Sequence, residues 1–220
     1  MLSEKCIMHT ASIDIYGLMM RGYYFTSMCI IVISIFIFLW SFEKRKPKTR
    51  EIVTLAVMTA LAVVGRLAFF MTPQVKPCAA IIIITGVMLG RQSGFLCGAL
   101  TAFVSGFFFG QGPWTPWQMI AFGIIGFLSG VLFSKKNIKY AYNKWIISIY
   151  GFLATFVIYG FILDTATVFM YTDTPKTETY LSGIGFNLIH AASTFVVLFL
   201  ISNATIKKLE RLKIKYKMFS

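Results

Sequence analysis

The sequence lacks the short motifs by which many enzymes and molecular motors are recognised. It has no Gly-Lys-Ser/Thr phosphate loop, so the chain does not bind and hydrolyse ATP in that way. The sequence also has no aspartate-rich pair, no HExxH zinc helix and no GxSxG turn. It therefore lacks the catalytic motifs of the common intramembrane and lipid-modifying enzymes. A helical protein of this size without a motor is a passive pore, a coupled carrier or the substrate-binding part of a larger machine.

Cysteine and histidine are also scarce. The four cysteines, Cys6, Cys29, Cys78 and Cys97, form no CxxC motif, and neither histidine lies near them at ligand spacing. We therefore expect the cysteines to pack as small apolar side chains, and we expect neither a metal site nor a bound cofactor.

Long apolar runs dominate what is present, since 57% of the residues are hydrophobic. About 20 apolar residues cross the hydrocarbon core of a membrane as a helix. The sequence therefore predicts an all-α polytopic membrane protein, whose third span is short and is expected to be tilted or broken. The predicted spans are 23–42, 51–71, 78–90, 94–110, 118–134, 146–171 and 183–206.

Basic residues alternate between the two sides of these spans. One side carries most of the net charge of +13, whereas the other keeps only Lys5, Arg21, Lys76 and Lys176 beside several acids. The positive-inside rule makes the basic side cytoplasmic, with the N-terminus outside and the C-terminus inside a bacterial plasma membrane. Charge placed there sets topology and meets anionic lipid, so we expect no nucleic-acid partner. The residues of the basic side are Lys44, Arg45, Lys46, Lys48, Arg50, Arg91, Lys135, Lys136, Lys139, Lys144, Lys207, Lys208, Arg211, Lys213, Lys215 and Lys217.

The first span is interpreted as an addition to a six-helix body. Its strongest positive cluster, residues 43–50, follows the apolar run instead of preceding it, which is not typical of a signal peptide. The sequence therefore predicts an N-terminal extension, 1–47, with one transmembrane helix, and a membrane domain, 48–220, that ends in a basic cytoplasmic tail.

Small residues recur at helical spacing in two spans. Ala56 and Ala60 lie one turn apart in the second span, and this spacing allows another helix to approach closely. They serve either internal packing or docking of a partner. In the fourth span a small residue recurs every four positions along the whole length, which predicts an internal seam. Its members are Gly94, Gly98, Ala102, Gly106 and Gly110.

The segment 110–118, GQGPWTPWQ, is the densest local signal. Two prolines and two glycines predict a sharp, ordered connection that places Trp114 and Trp117 outside an ordinary helix. These tryptophans are either interfacial anchors or the wall of a ligand site, with Thr115 between them. The flanking Gln111 and Gln118 would offer amide donors and acceptors.

Polar groups inside the spans cluster at one depth, on the predicted extracytoplasmic side. Arg66, Asp164, Asn187 and His190 are candidate substrate contacts, because ionisable groups in a membrane are costly. An ion pair between Arg66 and Asp164 is the structural alternative. Asn187 and His190 are three residues apart, so they share a helix face.

Three segments resemble the S components of energy-coupling factor (ECF) transporters, the small six-helix proteins that capture vitamins for a shared ATP-driven module. They are the Ala56-Val-Met-Thr-Ala60 motif, the GQGPWTPWQ segment, and the FNLIHAASTF segment at 186–195 with the basic KKLERLK run after it. The resemblance covers residues 48–217, and the GPWTPWQ and FNLIHA segments look most like the cobalamin branch.

This resemblance implies a binding subunit that is not itself an enzyme and that works with a transmembrane coupling subunit and two ATPase subunits. In that family the Ala-xxx-Ala surface meets the coupling subunit, and the substrate site opens outward. The S component then topples in the membrane to release its vitamin inwards. The extra first helix departs from the family pattern.

Two other classes stay open. A proton- or sodium-driven carrier typically shows repeated halves with broken helices, and 51–134 does not repeat in 146–206. A small membrane enzyme would use Asp164 and His190 as an acid and base pair.

Overall fold

The computed structural model describes residues 49–72, 75–134, 137–170 and 176–216, together with Phe25, Cys29, Ile33, Phe36 and Trp40. Every regular element in these ranges is helical, which confirms the all-α prediction. The elements are α1 (Thr49–Ala68), α2 (Cys78–Leu89), α3 (Arg91–Phe109), α4 (Thr115–Leu132), α5 (Ile138–Ala141), α6 (Lys144–Leu153), a π-helical segment (Ala154–Tyr159), α7 (Gly160–Met170) and α8 (Lys176–Tyr216).

Five of these helical segments are long and apolar enough to cross a membrane. They are α1, α3, α4, the continuous segment Lys144–Met170 formed by α6, the π-helical segment and α7, and α8. At 1.5 Å per residue, helices of 18 to 20 residues are about 27–30 Å long, which matches the hydrocarbon core. With the shorter α2, they correspond to the six predicted spans of the membrane domain.

Helix α2 has only 12 residues, which confirms that the third predicted span is short. Its side chains are almost all buried, including Ile82, Ile83 and Ile84. A helix that is apolar all round is stable where other helices enclose it. Helix α2 therefore lies inside the bundle, packed against α3, α4 and α8.

The first predicted span, 23–42, lies mostly outside the described residues. Its five described residues have helical backbone and are spaced three or four apart. The extra transmembrane helix and the boundary at residue 47 stay predictions.

The glycine stripe of α3 forms the predicted seam over its first half. A Cβ atom added to Gly94 would lie 2.3 Å from the carbonyl oxygen of Gly126, and one added to Gly98 would lie 2.3 Å from that of Phe122. Only glycine permits such close backbone contact between α3 and α4. The stripe changes role further along, because Gly106 faces the side chain of Gln111 and Gly110 ends the helix with φ of +91°.

Successive membrane spans run in opposite directions, so their connections lie at the two ends of the bundle. We call the end with residues 110–114 the Trp-loop end, and the opposite one the basic end. At the Trp-loop end Phe70 packs against Phe109, with ring centroids 4.9 Å apart. At the basic end the guanidinium of Arg50 lies 5.1 Å from the ring centroid of Tyr216.

The last helix is much longer than the predicted span 183–206. Helix α8 has 41 residues, so it is about 60 Å long and extends well past one bilayer thickness. Its last turns pack on the basic end, where Lys213 Nζ donates a hydrogen bond to the Met88 carbonyl at 3.1 Å. Tyr142, in the connection between α4 and α6, donates its hydroxyl proton to the Glu210 carboxylate. Partial burial and this hydrogen bond raise the pKa of Tyr142 to about 12.

Candidate functional site

Arg66 is the buried charge around which the candidate site is built. It lies in the last turn of α1 and is only 2% exposed. Nη1 donates to Ser105 Oγ of α3 at 2.6 Å, and Nη2 donates to Gln118 Oε1 of α4 at 2.9 Å. Nε has no hydrogen-bond partner among the described residues. A buried cation is thus held by two neutral acceptors from two other helices, and one of its three nitrogens, Nε, has no acceptor among the described residues.

Aromatic rings surround this guanidinium. Its carbon lies 4.9 Å from the ring centroid of Phe109 and 5.7 Å from that of Phe122. A cation over an aromatic face is stabilised by the ring quadrupole, most of all when water is excluded. The rings therefore offset part of the cost of burying Arg66.

His190 joins this group from α8. It is 1% exposed and packs edge-on against Tyr159, with ring centroids 4.7 Å apart, and against Phe122 at 6.1 Å. Neither ring nitrogen has a hydrogen-bond partner among the described residues. We call the assembled set the Arg66 cluster; it consists of Arg66, Ser105, Phe109, Gln118, Phe122, Tyr159 and His190.

The π-helical segment carries Tyr159 into this cluster. It interrupts the long helix at Ala154–Tyr159, and such wide turns change which side chains face a neighbouring helix. Thr155 Oγ1 lies 3.4 Å from Thr194 Oγ1 of α8, one turn after His190. The irregularity therefore lies beside the histidine that lacks partners.

Asp164 and Asn187 form a separate polar pair. Asn187 Nδ2 donates to Asp164 Oδ2 at 2.8 Å, between α7 and α8. The alternative of an Arg66–Asp164 ion pair is wrong, because Arg66 uses its donors on α3 and α4. The alternative of an Asp164–His190 acid and base pair is also wrong, because no hydrogen bond joins these two side chains. The four polar residues expected to cluster therefore divide into two groups.

Residues 110–114 form a tight connection that begins at the positive φ of Gly110. The Gly112 N–H donates to Thr115 Oγ1 at 3.2 Å, and the Thr115 N–H donates to the Gly112 carbonyl at 2.9 Å. Gln111 is exposed and donates from Nε2 to the Phe103 carbonyl at 2.9 Å. Trp114 is 39% exposed and lies directly over Gly112, where an added Cβ would be 2.5 Å from the indole.

Trp117 lies in the first turn of α4, together with Gln118, so the expectation that Trp117 is placed outside an ordinary helix is wrong. The helix begins at Thr115 because Pro116, in its first turn, needs no N–H partner there. The indole of Trp117 is nearly parallel to the ring of Phe169 on α7, at 14° with centroids 6.4 Å apart. Gln118, one residue on, points to Arg66 instead.

Lys76 is a second cation at this end, and the sequence analysis did not assign it to the site. Its backbone N–H donates to Ser193 Oγ at 3.4 Å, and its Nζ lies 5.7 Å from the ring centroid of Phe109. Burial, together with the nearby charge of Arg66, lowers the pKa of Lys76. Phe109 therefore carries a cation from α1 and another from the connection before α2.

The other residues that sequence reasoning missed are mostly aromatic. Phe109, Phe122 and Phe169 are indistinguishable by sequence among 22 phenylalanines. Ser105 could have been predicted from the sequence, because it is a polar residue within the apolar span of α3, directly before Gly106 of the small-residue stripe.

The cysteines that the structure describes in the membrane domain pack as expected. Cys78 and Cys97 are fully buried, and Cys97 Sγ lies 3.7 Å from Thr85 Oγ1. Within the described ranges, no three His, Cys, Asp or Glu side chains come together as metal ligands.

Ala56 and Ala60 lie on the exposed side of α1. Their neighbours Val53, Val57 and Leu61 are exposed as well, whereas Ala62 is fully buried in the core. The alternative that Ala56 and Ala60 serve internal packing of the bundle is therefore wrong. Within the described part of the chain, the surface they form is smooth and apolar, and no other helix covers it.

The fold is that of a multi-pass helical membrane protein, and one end of its bundle carries a buried cation, unpartnered polar atoms and aromatic side chains. Residues 46–208 match the family model described as "ECF-type riboflavin transporter, S component". The chain belongs to this family, and it is an S component of an ECF-type vitamin transporter. This confirms the class predicted from the sequence, although the match does not single out a cobalamin branch.

Several curated proteins are similar to this chain in sequence, over different shares of its length. A UPF0397 protein of Aliivibrio fischeri (strain MJ11) is 28% identical over 161 residues, which are 67% of this chain and 84% of the relative. One from Aliivibrio salmonicida is 30% identical over 41% of this chain and 52% of its own length, and one from Vibrio atlanticus is 31% identical over 37% and 47%. No solved structure matches the chain.

Proposed function

We propose that this S component binds its vitamin at the Trp-loop end and delivers it to a transmembrane coupling subunit driven by two ATPase subunits. The observation that carries the proposal is the Arg66 cluster, in which a buried guanidinium and a buried imidazole keep donor and acceptor capacity unused. Unsatisfied buried polar groups are costly, and they are typically retained where a ligand supplies the missing partners. The chain lacks a phosphate loop of its own, so the energy must come from partner subunits.

Riboflavin is the first candidate substrate, because the family description carries its name. Its ring system is flat and aromatic and bears carbonyl and ring-nitrogen acceptors along one edge. Trp117 and Phe169 offer nearly parallel aromatic faces for stacking, and Arg66 and Gln118 offer donors for such an edge. The polar pair of Asp164 and Asn187, on α7 and α8, would then hold a polar side chain such as ribityl.

Cobalamin, the vitamin predicted from the sequence, is the second candidate. The observation in its favour is the open outer rim, where Trp114 and Phe169 present exposed aromatic surface and Gln111 an exposed amide. A corrinoid is larger than a flavin and bears many amide-edged side chains. It would therefore use this rim more than the buried cluster.

In this proposal, delivery of the vitamin to the coupling subunit uses the exposed side of α1, opposite the buried side that carries Arg66. The exposed surface of Ala56 and Ala60 is the docking face for the coupling subunit, and the positive-inside rule places the basic end and the C-terminus in the cytoplasm. The Trp-loop end then faces the outside, as a capture site requires.

The test is a binding titration of the purified full chain in a neutral detergent with riboflavin and with cobalamin. We expect tight binding of one of them without ATP or an ion gradient. Trp117→Ala should weaken riboflavin binding at least about tenfold, because the flat ring system of the flavin loses its stacking partner. Trp145→Ala is the matched control, since Trp145 packs on Phe199 in the other half of the bundle and should leave affinity unchanged.

Equal losses for both tryptophan variants would contradict the assignment of the site. A folded chain that binds neither vitamin, but by itself takes up a substrate in a way that an ionophore abolishes, would favour the ion-coupled carrier instead.

A further inference from the structure

The charge balance around Phe109 points to the form of the substrate. Arg66 and Lys76 approach the same aromatic ring, at 4.9 Å and 5.7 Å from its centroid. Arg66 is fully buried, and Lys76 is half-buried in the connection that leads into α2. Two cations thus share one small, largely dehydrated region.

No carboxylate of the described chain neutralises this pair. Within the described residues, Arg66 donates to the neutral Ser105 and Gln118, and the carboxylate of Asp164 accepts from Asn187. A cation in a low-dielectric environment is expensive unless an opposite charge accompanies it, and aromatic faces offset only part of that cost. The ligand-free protein therefore holds two positive charges that an anion would stabilise.

The donors that remain suit an oxyanion. Arg66 Nε has no partner, and guanidinium groups bind phosphate or carboxylate oxygens through parallel hydrogen bonds. Lys76 Nζ faces the ring of Phe109 and has no hydrogen-bond acceptor in the described part of the chain, so its ammonium protons are available for a second oxygen. His190 packs against Phe122 beside this pair of cations, and neither of its ring nitrogens has a partner among the described residues.

We propose that Arg66 and Lys76 form an oxyanion subsite, and that the chain prefers a substrate carrying a phosphate or carboxylate over its uncharged counterpart. Lys76 is the specificity-determining residue, because its Nζ has no acceptor among the residues that the structure describes and can therefore turn to the ligand. This inference rests on the proposed function, since it concerns the form of the vitamin bound at the same site. For a flavin, the preferred form is the phosphate ester.

Riboflavin and flavin mononucleotide provide the test, because they differ only by one phosphate. Binding of each to the purified full chain in neutral detergent is followed by quenching of flavin fluorescence. We expect the wild type to bind flavin mononucleotide at least about tenfold more tightly than riboflavin, because the phosphate adds a charge-assisted hydrogen bond to the cations. Lys76→Met should abolish this preference while leaving riboflavin affinity within about threefold, and Lys76→Arg should retain it.

Lys176→Met is the matched control, because Lys176 is an exposed lysine at the start of α8 on the same end of the bundle. It should leave the preference unchanged. Riboflavin binding as tightly as flavin mononucleotide, or more tightly, would overturn the oxyanion subsite and leave the proposed function standing.

Thermal unfolding of the ligand-free protein separates the two proposals if neither flavin binds. The flavin assignment would then fail, but an uncompensated cation predicts that Lys76→Met raises the unfolding midpoint, because removing it relieves repulsion with Arg66. A lower midpoint for Lys76→Met would show that Lys76 stabilises the fold, which contradicts the subsite.

Discussion

Replacing Gly98 with alanine is expected to force α3 and α4 apart and to lower the stability of the whole chain. The added Cβ would lie 2.3 Å from the carbonyl oxygen of Phe122 and 2.4 Å from its carbonyl carbon. Ordinary contact begins at 3.4 Å, so the two helices must separate by about 1 Å. Helix backbone on both sides offers no flexible side chain that can move away.

The magnitude follows from two opposing effects. Overpacking costs about 1–3 kcal/mol, and contact between two backbones places this site at the upper end. Alanine is better than glycine inside a helix by about 0.5–1 kcal/mol. The net loss is therefore about 2 kcal/mol, which corresponds to a decrease of about 4–8 °C in the unfolding midpoint of a chain of this size.

Gly185→Ala is the matched control for this experiment. Gly185 lies inside α8 with nothing within 4 Å of an added Cβ, so only the gain in helix propensity remains. The assay is thermal unfolding in detergent, followed by the reaction of a thiol-specific fluorophore with the buried Cys78 and Cys97. A Gly98→Ala protein that unfolds at the wild-type temperature, or together with Gly185→Ala, would refute the packing argument.

Two further predictions concern the surface of α1 and the basic end. Ala56→Trp combined with Ala60→Trp should abolish co-purification with the coupling subunit and leave vitamin binding intact. The control is Phe107→Trp, on the exposed side of α3, which should leave both co-purification and binding intact. Vitamin uptake that survives the double change would mean that the docking face lies elsewhere. Tyr142→Phe removes the proton donor to Glu210. Because the pKa of Tyr142 is raised from 10.0 to about 12, the stability it contributes should be fully present below pH 10 and lost as pH rises towards 12. Denaturation of both proteins across this range measures it, and a difference between them that persists above pH 12 would contradict the assignment.

Apart from the last one, the membrane spans of the described membrane domain could be predicted from the sequence to within about three residues at each end. For example, the predicted spans 78–90 and 94–110 correspond to the helices Cys78–Leu89 and Arg91–Phe109. This works because a long apolar run is a local property of the sequence, and the bilayer thickness sets the length of the helix that such a run forms. The last helix was underestimated at both ends. Its basic turns beyond residue 206 carry no apolar run, and they are held in place by contacts such as Lys213 to Met88.

The residues of the site were predictable in kind, because a charged or polar side chain within an apolar run stands out in any sequence. Arg66 and His190 were found in this way, and Gln118 was found as the flank of the GQGPWTPWQ segment; all three belong to the Arg66 cluster. Lys76 was missed because it lies in a connection, where a lysine is unremarkable by sequence. Phe109 and Phe122 were missed because nothing local separates them from the other phenylalanines.

Which side chains meet was decided only by the tertiary structure. The sequence places Arg66, Asp164, Asn187 and His190 at one depth, yet Arg66 pairs with α3 and α4 while Asp164 pairs with Asn187. Depth along a helix follows from residue number and a rise of 1.5 Å, so sequence determines it. The direction in which a side chain points depends on the rotation of each helix against its neighbours, and that rotation is set by close contacts between distant residues, such as Gly98 with Phe122.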